Sequence, residues 1–216
     1  MHVDVSEALR YLGAASDPAT EMLVREAAAE LERAVQPRFV WRVLQVSHTA
    51  DGVRIGALPL PGTLAQTMLR DAAQAAIVVC TLGAGFETLL RAAEARDMAR
   101  AAVLDACGSA YVEAGCDAAE REISARFPGL FRTDRFSPGY GDLPLSLQPE
   151  LLALTDAQRR LGITLTESLL MVPSKSVTAV VGLCDTPQPA RVRGCAHCNL
   201  NASCNFRKRG TTCGAS

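Results

Sequence analysis

The sequence predicts an α+β fold: a central, twisted, mainly antiparallel sheet flanked by helices, followed by a Cys-rich C-terminal tail. Three observations carry this. Asp51-Gly52 sits between the aromatic and β-branched run Arg38–Ser47 and the run Val53–Ile55, a hairpin signal and so an antiparallel pair. Ala76–Thr81 is continuously apolar over a strand's length, as a strand covered on both faces requires. Helical and strand patterns follow one another without the strict alternation of a parallel α/β sheet.

Taken in order, Ser6–Leu12 reads as a short amphipathic helix stopped by Gly13. Asp17-Pro18 opens a second helix with a cap and a first-turn proline. Its expected apolar stripe is Met22, Leu23, Ala27, Leu31 and Ala34, and Pro37 ends it. After the hairpin, Thr63–Ala73 is expected to be helical. Gly83-Ala84-Gly85 reads as a turn and Phe86–Ala95 as a helix. Asp97 caps a long helix reaching about Phe127. Gly108 and Gly115 fall inside it, where glycine costs about 1 kcal/mol relative to alanine. Either close helix-to-sheet packing around Gly108-Ser109-Ala110 or close approach of a ligand would account for them. Pro149–Arg160 is a further helix with Gly162 as its stop. Thr164–Met171 and Ser176–Leu183 read as strands around Pro173-Ser174-Lys175. After Cys184 the periodicity ends, and Pro187 and Pro189 mark a linker. The expected division is a domain over 1–184 and a tail over 185–216.

The chain has 216 residues, nearly half of them apolar (49%), enough for a sizeable core. Its net charge is −1, and no long basic run precedes the tail, which argues against a large nucleic-acid footprint. No apolar stretch reaches membrane-spanning length. Met1–Glu7 lacks the charged and apolar regions of a signal peptide. The reading is a cytoplasmic protein whose eight cysteines stay reduced, so their clustering points to metal or redox chemistry. Cys80 and Cys107, in apolar contexts, read as small buried hydrophobes.

The segment Arg135-Phe-Ser-Pro138-Gly139-Tyr140-Gly-Asp142 is the richest in chemistry. Arg135 offers a bidentate fork for a carboxylate or phosphate. Pro138-Gly139 forces a turn that can present backbone N–H and C=O groups. Tyr140 adds a hydroxyl and a ring face suited to a cation, a sulfonium included. A ligand carrying a carboxylate, an amino group and an onium centre fits this set. A solvated surface turn fits the bare spacing as well.

Arg135-x-x-x-Gly139-Tyr140, then a helix, then Leu161-Gly-Ile-Thr-Leu-Thr-Glu-Ser168, Met171-x-Pro173 and Ser176-Val177 resemble the reactivation domain of cobalamin-dependent methionine synthase. The likeness is dense from Arg135 to about Gly182. It extends more thinly through Thr81-Leu82-Gly83 and Asp105–Glu113, and Ala8–Gly13 is similar to stand-alone relatives of that domain. The resemblance implies that family's fold and S-adenosylmethionine binding, with Arg135 and Tyr140 as contacts and Pro138 and Gly139 shaping the turn. The family also uses an N-terminal aspartate, for which Asp4 and Asp17 are candidates, and a long-helix glutamate, for which Glu113 is the candidate. A solvated helix carboxylate is the plain alternative for Glu113. The implied role is repair: cob(II)alamin takes one electron and a methyl group from S-adenosylmethionine to give methylcobalamin. The protein's part is to position the donor, and it would be an accessory module of a methyltransferase system. The chain has no corrinoid signature. The partner would therefore be a separate corrinoid protein, or a methionine synthase lacking this domain, with a flavodoxin- or ferredoxin-like electron donor.

Cys195, Cys198, Cys204 and Cys213 form C-x2-C-x5-C-x8-C. Such thiolates suit zinc or an iron–sulfur cluster, and an unliganded tail with free thiols is the plain alternative. The rival function is a metal-binding or iron–sulfur redox or adaptor protein working through that tail. A self-contained S-adenosylmethionine methyltransferase ranks last, since no Gly-rich loop follows a first strand.

Overall fold

Two aspartates start the first two helices. Asp4 caps α1 (Val5–Leu12), which ends at Gly13 with φ +66°. Asp17 caps α2 (Pro18–Ala34), with Pro18 in the first turn. The computed structural model describes residues 1–13, 17–50 and 52–188. On α2 the buried residues are Val24, Ala27, Ala28 and Leu31, an i, i+3, i+4, i+7 stripe. The expected stripe is corrected on one side: Met22 and Leu23 are 58% and 51% exposed, and Ala34 is exposed. Val24 and Ala28 take their place on the inward face.

The sheet grows from the expected hairpin. β1 (Arg38–Thr49) runs antiparallel to β2 (Gly52–Ile55), with Thr49 opposite Gly52. Asp51 itself lies outside the described residues. A third strand the sequence reading lacks, β3 (Leu58–Leu60), turns back at Gly56 (φ +57°) to pair antiparallel with β2. α3 spans only Thr63–Met68, and β4 already begins at Ala72 (Ala72–Thr81). The helix expected through Ala73 is cut short because Ala72, Ala75 and Ala76 belong to the buried strand run.

The expected Gly83-Ala84-Gly85 turn is the first turn of α4 (Gly83–Glu94), its Gly83 N–H donating to Thr81 Oγ1 at 3.0 Å. α5 (Met98–Arg126) is the long helix, and Asp97 Oδ1 accepts from the Ala99 and Arg100 amides. β5 (Phe131–Arg132), also unforeseen, precedes a 3-10 turn at Leu145–Leu147. The expected Pro149–Arg160 helix is two: α6 (Gln148–Thr155) and α7 (Ala157–Leu161), broken at Asp156, whose φ is +54°. The expected Thr164–Met171 strand is corrected to a small hairpin of β6 (Thr164–Leu165) and β7 (Met171–Val172). Its turn closes because Thr166 and Leu170 bond to each other and Leu169 takes φ +63°. β8 (Ser176–Cys184) completes the main sheet in the order β3-β2-β1-β4-β8-β5, with β6-β7 a separate pair. The fold is α+β, as the sequence predicts.

The chain divides into two compact units. The first holds residues 1–40, 78–122 and 152–177. Its core joins Val24, Leu31, Phe86, Leu104, Cys107 and Tyr111, and a smaller cluster joins Val79, Leu161 and Ile163. The long-helix glycines are packing residues here. A Cβ on Gly108 would stand 2.5 Å from the Phe86 ring, and one on Gly115 2.5 Å from Cys80 Sγ and 2.8 Å from Pro37 Cβ. The helix-to-sheet contact expected around Gly108 is thus made seven residues later, at Gly115, while Gly108 seats a neighbouring helix.

The second unit holds residues 41–77, 123–151 and 178 onward. Ile55, Leu60, Met68, Leu69, Phe136 and Val180 are among its buried side chains. Gly182 lets β8 pass close to Thr133, since a Cβ there would meet Thr133 Cγ2 at 2.9 Å.

Candidate functional site

In the second unit, β5 runs antiparallel to β8, with Phe131 opposite Cys184 and Arg132 opposite Leu183. The pairing continues past the strand. Thr133 N–H donates to Gly182 O at 3.0 Å, and Gly182 N–H donates to Thr133 Oγ1 at 2.9 Å. Phe136 and Val180 then exchange both backbone bonds, at 3.0 and 2.8 Å. Phe136 is buried, and its neighbour Arg135 is half-buried. One end of the Arg135–Asp142 segment is therefore fixed to β8 immediately beside Arg135.

From Ser137 the loop folds on itself. Gly139, at φ +86°, donates its N–H to Leu143 O at 2.8 Å. Tyr140 N–H donates to Ser137 O and Leu143 N–H to Tyr140 O, both at 3.1 Å. Leu143 is buried, Tyr140 and Pro138 half-buried, and Gly139 exposed. The amides of Gly139 and Tyr140, in the turn that the sequence offers to a ligand, are thus occupied within the loop, as is that of Leu143. Arg135, Pro138, Gly139 and Tyr140 all lie in this one backbone-bonded segment.

The other end is held by Asp142. Its Oδ2 accepts from Thr63 N at 2.6 Å and Thr63 Oγ1 at 2.8 Å, and its Oδ1 accepts from Leu64 N at 2.9 Å. Those amides, Leu64 first, hold the Asp142 carboxyl below the usual carboxylate range. The sequence reading assigns Asp142 no role. A signal for it exists in Pro61-Gly62-Thr63, a helix start with no capping side chain of its own.

The acidic candidates belong to the first unit. Asp4 Oδ1 accepts from the Ser6 and Glu7 amides at 2.9 and 3.1 Å and from Ser6 Oγ at 2.7 Å. Asp17 Oδ1 accepts from the Ala19 and Thr20 amides, both at 3.0 Å, and Oδ2 from Thr20 Oγ1 at 2.6 Å. Both carboxyls sit below their ordinary values, chiefly through the Ser6 and Thr20 hydroxyls respectively. Both are helix caps. Glu113 is half-buried on α5. The Tyr11 phenol is pushed up, first by burial and next by the Glu113 charge.

The first unit also holds a polar knot. Lys175 Nζ donates to Asp105 Oδ2 at 2.9 Å and Ser109 Oγ at 2.8 Å. Lys175 O accepts from Leu82 N–H at 2.9 Å, and Ser176 Oγ bonds Thr81 Oγ1 at 2.7 Å. A cleft of about 530 Å³ opens beside it, lined by Tyr11, Leu90, Glu94, Met98, Asp105 and Ser109 among others. Among the described residues, none of the site residues predicted from the sequence lines it.

Cys80, Cys107, Cys116 and Cys184 are buried and outside any disulfide, and burial pushes the Cys107 thiol up to about 11. Among the described residues, no group of three or more His, Cys, Asp or Glu side chains could hold a metal ion. The predicted ligands Cys195, Cys198, Cys204 and Cys213 lie outside the described residues. No described helix is long and apolar enough to cross a membrane.

The model of the vitamin B12 dependent methionine synthase activation domain matches residues 76–192, a span that contains the whole of the loop from Arg135 to Asp142. A solved structure described as the MetH reactivation domain bound to AdoHcy is similar in fold, with a TM-score of 0.66. The match covers 99% of this chain and 86% of that one at 15% identity. No curated protein sequence matches the chain. With more than half of its residues under the family match, the chain belongs to the vitamin B12 dependent methionine synthase activation domain family.

Proposed function

We propose that this chain binds S-adenosylmethionine at the Arg135–Asp142 loop and supports reductive methylation of the corrinoid of a separate protein. The partner would be a methionine synthase lacking this domain or a related corrinoid protein. The observation that carries the reading is the loop itself: a segment with both ends anchored and its turn closed, inside the family-matched span. Preorganisation of this kind lowers the ordering cost of binding.

The donor set fits the ligand. Arg135 supplies a fork for the carboxylate. Tyr140 supplies a ring face for the sulfonium and a hydroxyl. Gly139 lets the turn form, since its φ of +86° is a conformation that residues with a side chain rarely adopt. Pro138 fixes the turn's entry, and Glu113 is proposed as an acidic contact from the long helix. The bound donor supplies a methyl cation equivalent; with one electron from a donor such as a flavodoxin or ferredoxin, cob(II)alamin would become methylcobalamin and S-adenosylhomocysteine would leave. The residues named here bind and orient, and no general acid or base is required of them.

Residues 1–184 are proposed as the binding domain and 185–216 as a distinct tail. The C-x2-C-x5-C-x8-C spacing of Cys195, Cys198, Cys204 and Cys213 supports a zinc or iron–sulfur site there, and with it a redox or adaptor role. Metal analysis and the visible spectrum of the purified protein distinguish these. For the leading reading, calorimetry with S-adenosylmethionine compares wild type with Arg135→Ala. Binding by wild type and loss in the variant is the expected result. Equal affinity in both removes Arg135 from the site.

A further inference from the structure

The loop's far anchor is unusual in its chemistry. α3 starts at Thr63 after Gly62, which has φ +95° and contributes no cap. The missing cap comes from a residue 79 positions later: Asp142 grips Thr63 and Leu64 with both carboxylate oxygens. The fit leaves no room for another residue at the helix start, because a Cβ on Gly62 would lie 2.6 Å from Asp142 Oδ1. Gly141, at φ +58°, closes against the same helix, where a Cβ would meet Leu64 Cδ2 at 3.2 Å. Burial of Leu143 sets the depth of this end but not its rotation. Two carboxylate oxygens on three donors set both.

We propose that Asp142 is a positioning residue for the ligand loop, tying Gly141 and Leu143 to α3 so that Gly139 and Tyr140 are held in register with Arg135 at the Phe136 bridge. The inference rests on the reading that this loop binds S-adenosylmethionine. It assigns a second use to a helix-capping carboxylate: the capping bond that starts α3 is also the bond that shapes the site. A purely structural cap would stabilise the fold and leave ligand affinity alone.

The test is a graded series on the intact chain: Thr63→Val, which removes one of the three bonds, Asp142→Asn, which keeps one acceptor oxygen, and Asp142→Ala. S-adenosylmethionine affinity is read by calorimetry, and amide exchange is followed at residues 139–143 without ligand. Affinity falls in that order, reaching about tenfold in Asp142→Ala, the scale expected for one loop ordered only on binding. Exchange at residues 139–143 quickens in the same order. Should Asp142→Ala fail to fold, the two milder variants decide. Unchanged affinity in the folded variants overturns the proposal, whatever happens to their thermal midpoints. If wild type binds no S-adenosylmethionine, the ligand reading fails by itself. Amide exchange then decides the clamp: quickened exchange upholds it and unchanged exchange sinks it.

Discussion

Gly108→Ala is expected to destabilise the protein although it replaces a poor helix former with the best one. In an exposed helix interior the change would gain about 1 kcal/mol. Here the new Cβ would lie 2.5 Å from both Cε2 and Cζ of Phe86, well inside the 3.5–4.0 Å of an ordinary carbon contact. Phe86 is fully buried, so its ring has nowhere to go without moving α4. Overpacking of this kind costs about 1–3 kcal/mol. Set against the helical gain, the net expectation is a loss of up to about 2 kcal/mol. In a chain of this size that is a fall of up to about 8 °C in the thermal midpoint. Urea unfolding followed by helical circular dichroism measures it directly. Phe86→Leu removes the ring's far edge, so the two changes together should cost less than their sum by about 1 kcal/mol or more. A raised midpoint in Gly108→Ala, or strict additivity of the pair, would refute the claim that Phe86 dictates this glycine.

Two further outcomes follow from helix capping and from burial. Asp4→Ala should cost about 1 kcal/mol, since the Ser6 and Glu7 amides lose their acceptor. The folded pKa of Asp4 lies below its unfolded value, so its contribution is present above about pH 4 and is lost as pH falls through the depressed value. The stability gap between wild type and Asp4→Ala should therefore hold steady above about pH 5 and narrow as pH falls below about 4 in urea titrations, and a gap independent of pH would argue against the charged cap. Peptides carrying Cys80, Cys107, Cys116 and Cys184 should resist alkylation of the native protein at about pH 8 and label only on unfolding. Burial withholds the thiols, and the Cys107 thiol, pushed up to about 11, is not ionised there.

The sequence was most legible where a local signal sufficed. Asp17-Pro18 and Asp97 mark their helix starts because capping is read within four residues. The hairpin around residues 49–52 is read from its turn. Errors arose where a tertiary contact overrode the local pattern. Thr63–Ala73 has helical character, yet the sheet claims everything from Ala72. Pro149–Arg160 looks continuous, but Asp156 in the left-handed region breaks it. Thr164–Met171 reads as one strand and closes as a hairpin through Thr166. In the site, the motif residues were legible as a segment. Their anchors were not. Asp142 meets Thr63 across 79 residues and Phe136 meets Val180 across 44 positions of sequence, and no short-range pattern encodes either pairing.

The closed turn also changes what must recognise the ligand. Gly139, Tyr140 and Leu143 amides all donate within the loop. A carboxylate approaching this turn finds those three donors engaged, so on the proposed reading its recognition would fall to the Arg135 side chain. That makes the shape of the cation matter as well as its charge. Lysine at position 135 keeps the charge but replaces a planar fork with a single ammonium point. Losing one of two charge-assisted bonds is worth about 1.5 kcal/mol, or roughly tenfold in affinity. Arg135→Lys is therefore expected to weaken S-adenosylmethionine binding about tenfold by calorimetry, with Arg135→Ala weaker still. If Arg135→Lys matches wild type, a point charge suffices and the fork is idle. If even Arg135→Ala retains most of the affinity, the carboxylate is held by backbone after all, and the loop must open its internal bonds to do so.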